Sequence, residues 1–386
     1  MAWPSIISPV ILGLTAVYCV FLLFVLWGLF QVREGHHQRL HTVSVVVAAK
    51  NEERSIEACL RALLIQDYPA ECHEIVVVDD ASVDATAAIV RRFVRENPRV
   101  RLISAGADGG SLRAKKRALQ IGIESSGGEI ILITDADCRP VPTWISAMVR
   151  HFEPSVGLVA GNIRQDGRAV WQKLRSLERL SIAAVAAGTI GWDHGLTATG
   201  GNLGYRRRVF QEVDGFKTLS QPLSGDDDLF VQLVSRETSW KLQYAFEPEA
   251  SVITEPPSTL SQFVAQERRR TSKGIYYPPW VQILLADIFL MNLALVVTVP
   301  FSLAHPAAYP LPLLALGGKA VCELLILIKA SRLFKREKLL RFFPLAMVLH
   351  IPYFLAFAIW GTLGGYRWKV EVPGASSRSP RTDGLR

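Results

Sequence analysis

EIILITDAD, residues Glu129 to Asp137, runs from apolar residues into two carboxylates spaced two apart. Ile130, Ile131, Leu132 and Ile133 show no polar alternation, the pattern of a strand buried on both faces in a parallel sheet covered by helices. The functional end of such a strand is its carboxyl end. Side chains alternate along a strand, so Asp135 and Asp137 are expected on one side and Ala136 on the other. Two carboxylates held there repel unless a cation joins them. An all-oxygen set favours a hard ion, Mg2+ or Mn2+, shared with a substrate phosphate. A D-x-D triplet in isolation is commonly a solvated turn; its place after a buried strand gives it weight.

Outward from this stretch, apolar runs alternate with amphipathic ones, the pattern of an α/β fold. Strands are predicted over Val43 to Ala49, Glu74 to Val78, Val100 to Ser104 and Val156 to Ile163, and helices over Glu53 to Leu64, Thr143 to Phe152 with Thr143 as cap, and Ala169 to Ala187. A further helix starts near Asp84, with Ser82 or Asp84 as N-cap. The absence of G-x-G-x-x-G after the first strand disfavours an NAD-type site. Asp79 and Asp80 instead end the second strand, where carboxylates can accept hydrogen bonds from a ribose or a base edge. Lys115, after the glycine-rich loop at 106–110, can approach diphosphate oxygens. Glycines 200, 201 and 204 around Asn202 imply backbone close to a ligand. The triplet Asp226, Asp227 and Asp228 begins a helix, where it either complements the dipole or supplies a general base.

The hydrophobic content of 49% and mean hydropathy of +0.22 are high for a soluble enzyme, and the excess sits at the ends. Residues 1–32 carry no charge and are long enough to span a bilayer. Val281 to Leu303, Pro306 to Ile328 and Phe342 to Leu363 are three more segments of spanning length. Arg33 and Arg39 follow the first segment, which places the next domain in the cytoplasm. The basic loop from Lys329 to Arg341 also belongs there. Three simple spans then put the basic tail outside, against the same rule, unless the last segment is re-entrant or interfacial. The five cysteines have neither metal-ligand nor disulfide spacing, as in a reducing compartment. The net charge of +8 fits an anionic membrane surface, and the lack of basic stretches interleaved with aromatics excludes nucleic acid as the expected partner. The division expected is a span at 1–32, a cytoplasmic domain at 33–258, an amphipathic interface segment at 259–280, membrane segments at 281–364 and a basic tail at 365–386.

Seven motifs, VSVVVAAKNEE from Val43, EIVVVDDASVD from Glu74, AKKRAL from Ala114, ITDADCRPVPTWI from Ile133, GGNLGYRRRVFQEVDGF from Gly200, SGDDDLF from Ser224 and QERRR from Gln266, occur in the order seen in membrane-bound family 2 glycosyltransferases. The chain resembles that family from about Thr42 to Ser272. The resemblance implies a GT-A fold, a Rossmann-like mixed sheet with helices on both faces. It also implies a metal-dependent, inverting transferase that uses a nucleotide-diphosphate sugar. Ala48, Asn51, Glu52, Asp79, Asp80, Lys115 and Asp135 then fall on nucleotide-binding positions, and Asp135 and Asp137 on the metal D-x-D. Asp226 and Asp227 match the acidic pair that contains the base; Asp227 is favoured over Asp228. Gly201, Asn202, Gln266, Arg269 and Arg270 are assigned to acceptor and diphosphate. Gln266 and Arg269 match Q-x-x-R-W, whose Trp is Arg270 here.

Flanking membrane segments predict a lipid-embedded acceptor, a hydroxyl or phosphate of a membrane lipid, with the donor UDP- or GDP-linked. A processive polysaccharide synthase is the alternative within the class. An inactive membrane-tethered nucleotide-sugar-binding partner is the alternative outside it. A homo-oligomer is compatible with all three. The expected setting is a bacterial inner membrane with the catalytic domain in the cytoplasm.

Overall fold

The computed structural model describes residues 3–363 other than 107–111, 113, 220–224 and 308. Most of the glycine-rich loop, Ser224 of the acidic motif and the basic tail lie outside the described residues. The elements in chain order are α1 (Trp3–Gly28), β1 (Val43–Ala49), α2 (Ile56–Leu64), β2 (His73–Asp79), α3 (Thr86–Glu96), β3 (Val100–Ser104), α4 (Ala114–Glu124), β4 (Ile130–Asp135), β5 (Cys138–Pro140), α5 (Trp144–Val149), β6 (Val156–Gly161) and β7 (Ile163–Gln165). They continue with α6 (Val170–Ile190), β8 (Leu203–Arg206), α7 (Arg207–Glu212), α8 (Asp228–Glu237), β9 (Lys241–Ala245), β10 (Val252–Thr254), α9 (Leu260–Thr271), α10 (Pro279–Ala304), α11 (Leu311–Leu333) and α12 (Phe343–Leu363).

The main sheet has the order β3-β2-β1-β4-β8-β6-β9, and β5-β10-β7 form a small second sheet. β8 alone is antiparallel to its neighbours in the main sheet. β4 is central, and its unbroken apolar run has a direct cause. Ile131 and Ile133 face one core, with Val46, Leu119 and Tyr205, while Ile130 and Leu132 face the other, with Val45, Leu60 and Trp144. The amino end of β4 is pinned by charge: Glu129 accepts Arg206 Nη1 at 2.9 Å and pairs with His41 Nδ1 at 2.8 Å. Its carboxyl end, at Asp135, opens into a cleft.

Local departures from the sequence reading have physical reasons. α2 starts at Ile56 because Glu53 is used to clamp loops: its amide donates to Asp84 Oδ2 and its carboxylate accepts the Ala85 amide. The N-cap position of α3 is Ala85, which makes no side-chain cap; Asp84, one residue earlier, accepts the Thr86 amide at 3.0 Å, while Ser82 Oγ accepts the Asn51 amide. Thr143 makes no side-chain cap; its hydroxyl donates to the Glu249 carbonyl. The strand expected at 156–163 divides after Gly161, because the Asn162 carbonyl accepts the Asn202 side chain and the Val252 amide, and β7 joins the second sheet.

Among the described residues, four helical stretches are long and apolar enough to cross a membrane: Pro9–Gly28, Pro279–Ala304, Leu311–Leu333 and Glu337–Gly361. α1 does not stand apart from the C-terminal ones. It packs against α11, α10 and α6, so both ends of the chain join one helical bundle. Its contact with α6 depends on glycine. A Cβ on Gly28 would lie 1.8 Å from the Gly188 carbonyl oxygen, and one on Gly188 would lie 2.4 Å from that of Val25. Trp192 Nε1 locks the joint by donating to the Phe24 carbonyl at 3.0 Å.

Candidate active site

Register places the site. Asp79 pairs with Ala49 and Asp135 with Ala48, so carboxylates from β2 and β4 flank β1 along one sheet edge. Adjacent strands lie about 4.8 Å apart, so one bound molecule can span that edge. A cleft of about 880 Å³ runs from it, lined by Ala48, Glu52, Asp80, Lys115, Asp135, Asp137 and the three aspartates of the 226–228 triplet. Gly200, Gly201, Gln266, Arg269 and Arg270 line it as well, and its far part is walled by Leu284, Ile288, Phe354 and Phe357.

Lys115 Nζ bridges Asp135 Oδ1 at 2.6 Å and Asp226 Oδ2 at 2.8 Å, joining β4 to the triplet. Burial alone would lower the pKa of Lys115, but the two carboxylates outweigh it and hold the ammonium charged. Asp135, Asp137 and Cys138 present ligand atoms within 4.8 Å of one another. Burial and the nearby charges of Asp135 and Asp137 push the Cys138 thiol up, so it is a poor ligand for a hard ion. Asp137, pushed up to about 6 by desolvation and by Asp135 and Glu52, is a carboxylate whose charge calls for a cation. The donor set fits a divalent ion bound by carboxylate oxygen.

The triplet is not three equivalent acids. Asp226 belongs to Lys115. Asp227 accepts the Gly200 amide at 3.2 Å on Oδ2, and on Oδ1 its neighbour's amide and Lys273 Nζ, at 2.8 and 3.0 Å. Burial would raise Asp227, but Lys273 and these bonds hold it well below the usual carboxylate range. Asp228 accepts Tyr277 Oη at 2.5 Å and Lys273 Nζ at 2.9 Å on one oxygen, and the Leu229 amide on the other. Burial, reinforced by Asp227 and opposed by Lys273, pushes Asp228 up to about 7. The Asp227 side chain keeps 21% of its surface exposed against 3% for Asp228.

Several expected ligand residues have other duties. Asn202 is fully buried, with its amide donating to the Asn162 and Ala250 carbonyls and accepting Trp144 Nε1; it splices the two sheets instead of meeting a substrate. Asp80 faces the cleft, within 3.2 Å of Arg117 and 3.7 Å of Lys50, whereas Asp79 turns to the Ser82 amide. Asn51, at φ +54°, accepts the Val83 amide and shapes the rim. Arg270 ties helices: it pairs with Glu178 of α6 and with Glu267 at 2.6 Å, and lies 3.2 Å from Tyr353 of α12. Gln266 accepts Arg175 Nη2 at 2.9 Å.

Lys273 and Tyr277 are site residues that the sequence reading missed. A lone lysine beside an apolar segment reads as an interface anchor, and only the fold returns it to the triplet. Arg175, Glu178 and Arg179 were also missed. Their three- and four-residue spacing, which puts them on one side of α6, was the available signal.

A mixed sheet with this carboxylate edge defines a nucleotide-sugar glycosyltransferase of the GT-A type. Mannosyltransferase PcManGT from Pyrobaculum calidifontis, solved in complex with GDP-Man and Mn2+, shares the fold with a TM-score of 0.59 at 22% identity, over 92% of this chain and 98% of that one. The model for Glycosyl transferase family 2 matches residues 44–214, and that for Glycosyl transferase family group 2 matches residues 130–361. The chain belongs to glycosyl transferase family 2. It is similar to the beta-monoglucosyldiacylglycerol synthase of Synechocystis sp., at 27% identity over 61% of this chain and 48% of that protein. It is also similar to an N-acetylglucosaminyltransferase of Rhizobium meliloti, at 27% over 65% and 57%, and to the poly-beta-1,6-N-acetyl-D-glucosamine synthase of Staphylococcus epidermidis, at 28% over 39% and 35%. The chain thus spans about half the length, or less, of these curated relatives.

Proposed function

We propose that the protein is a membrane-bound inverting glycosyltransferase that moves one sugar from a UDP- or GDP-linked donor to a hydroxyl or phosphate of a membrane lipid. The observation that carries this reading is the continuity of one cleft from strand-end carboxylates to an apolar wall on α10 and α12. A water-soluble donor and a lipid acceptor can each enter from their own phase. The four apolar stretches would span the bilayer, in the setting of a bacterial inner membrane with the catalytic domain in the cytoplasm.

Asp80 and the β1 edge at Ala48 receive the nucleoside, and Lys115 the diphosphate. Asp135 and Asp137 would hold Mg2+ or Mn2+, which when bound neutralises charge on the leaving diphosphate. Gly200 and Gly201 keep the floor low; a Cβ on Gly201 would lie 3.1 Å from Asp135 Oδ2. Asp227 accepts the proton of an attacking hydroxyl, and Lys273 keeps it ionised before that step.

The test uses the full chain in lipid nanodiscs containing diacylglycerol, ceramide and polyprenyl phosphate, with Mg2+ or Mn2+ and radiolabelled UDP-glucose, UDP-galactose, UDP-N-acetylglucosamine or GDP-mannose. One labelled sugar on an organic-soluble lipid is the expected product. A high-mass polymer supports the processive synthase instead. Neither transfer nor metal-dependent hydrolysis of any donor supports the inactive tethered partner.

A further inference from the structure

One ammonium group ties two elements of the site together, and it does so on a carboxylate that the metal also needs. Lys115 lies in the first turn of α4 and lines the cleft, with its side chain 15% exposed. Its Nζ reaches Asp135 Oδ1 at the end of β4 and Asp226 Oδ2 just before α8, at 2.6 and 2.8 Å. Gly200 closes over this bridge: a Cβ there would lie 3.1 Å from Lys115 Nζ and 3.0 Å from Asp226 Oδ2. Asp135 also belongs, with Asp137, to the carboxylate pair whose ligand oxygens come within 4.8 Å of each other. Lys115 and a divalent ion therefore draw on the same carboxylate.

Geometry sets the size of the conflict. A divalent ion sits about 2 Å from a carboxylate oxygen, which puts it within about 7 Å of the Lys115 ammonium whichever oxygen of Asp135 it takes. At that separation, in a cleft partly closed to water, the two cations repel and the single negative charge of Asp135 is divided between them. The lysine has an alternative. Its flexible four-carbon stem and three donors suit a phosphate in the same cleft. A diphosphate can take Lys115 from Asp135 and offer its own oxygens to the ion at the same time.

We infer, on the nucleotide-sugar reading above, that Lys115 competes with the divalent ion for Asp135 and that the donor's diphosphate ends the competition by drawing Lys115 away, so that ion and donor bind as a unit. The same move releases Asp226 Oδ2 beside the donor. No covalent bond changes in this exchange; it sets the order of binding.

The full chain in detergent is titrated with Mn2+, and loss of the free-ion electron paramagnetic resonance signal gives the affinity, first alone and then with UDP, GDP, uridine or guanosine. Without nucleotide, Lys115→Met should bind Mn2+ about tenfold or more tightly than wild type, a factor within the coupling that two sites commonly share. Lys115→Arg, which keeps the charge, should stay close to wild type. A folding defect would weaken binding in Lys115→Met instead of tightening it. Lys50 lines the same cleft but sits 3.7 Å from Asp80, so Lys50→Met should move Mn2+ affinity by about twofold at most. UDP or GDP should tighten Mn2+ binding by a smaller factor in Lys115→Met than in wild type, and uridine or guanosine, which lack the diphosphate, should tighten it in neither. Equal Mn2+ affinity of wild type and Lys115→Met overturns the inference. An equal gain in Lys50→Met also overturns it, by assigning the effect to the net charge of the cleft. An unchanged UDP or GDP factor in Lys115→Met overturns the part given to the diphosphate. Failure of wild type to bind either nucleotide, with or without Mn2+, undermines the transferase reading itself, a different result from all of these.

Discussion

On the strand-end side of the cleft carboxylates outnumber cations, whereas on the side walled by α6, α9 and α12 guanidinium groups outnumber carboxylates. The first side is built around the ends of neighbouring strands, where register brings Asp79, with Asp80 just after it, and Asp135 to one edge. The second is assembled from three helices distant in sequence, joined through Glu178, Glu267 and Tyr353. In the proposed reaction the first side's surplus of carboxylates suits a cation shared with a diphosphate, and the second side's surplus of guanidinium groups suits an anion.

The largest effect expected from breaking the first side is at Asp227. Asp227→Asn keeps the size and the Gly200 contact but removes the base, and should lower transfer by about two to four orders of magnitude with nucleotide binding retained. Asp228→Asn should leave most of the rate, because its side chain is only 3% exposed against 21% for Asp227. Single-turnover rates with saturating donor distinguish the two. The reverse pattern moves the base one residue along α8.

The same contrast explains what the sequence made legible. β4 could be read from EIILITDAD because both of its faces are buried, so no polar residue interrupts it. Asp135 was legible because it ends a buried strand whose functional end is known; Asp137 instead lies in the turn after β4, where the strand period of two no longer applies, although its ligand atom still comes within 4.8 Å of that of Asp135. Asn202 was misread because glycine-rich sequence announces close approach without saying to what, and here the approach is of the second sheet to the first. Arg270 stands where the family motif has Trp, and a motif cannot say that Glu178, 92 residues away, neutralises the change. Lys273 was hidden for the same reason: its partners, Asp227 and Asp228, lie on another element.

A middle-sized effect should follow from breaking the helix side. Glu267 and Arg175 are each only 3% exposed at the side chain. Glu267→Gln leaves Arg175 and Arg270 short of one charge, and removal of one partner of a buried pair costs about 3–5 kcal/mol. The melting temperature should fall by several degrees with nucleotide affinity unchanged. Replacing both Arg175 and Glu267 by Met should recover the Arg175 share of that loss, since apolar groups of similar volume remove the desolvation penalty together with that pair, while Arg270 keeps Glu178 as its partner. A double variant no better than Glu267→Gln would mean that the bridge acts by position and not by charge.

The smallest effect concerns pH and returns to the strand-end side. Asp228 is held near 7 in the fold against an ordinary value of 3.8, first by burial and then by Asp227. The folded protein therefore keeps a proton that the unfolded chain releases between about pH 4 and 7, and this group's contribution to stability declines as pH rises through that window. Asp227 acts in the opposite sense at more acidic pH, its depressed value adding stability that is lost only as the carboxylate protonates. Melting temperature recorded from pH 5 to 8 should slope downward less steeply in Asp228→Asn than in wild type. An unchanged slope would mean that Asp228 is ionised in the fold, with Lys273 neutralising both aspartates; Lys273→Met should then unfold the start of α8 instead of merely shifting the profile.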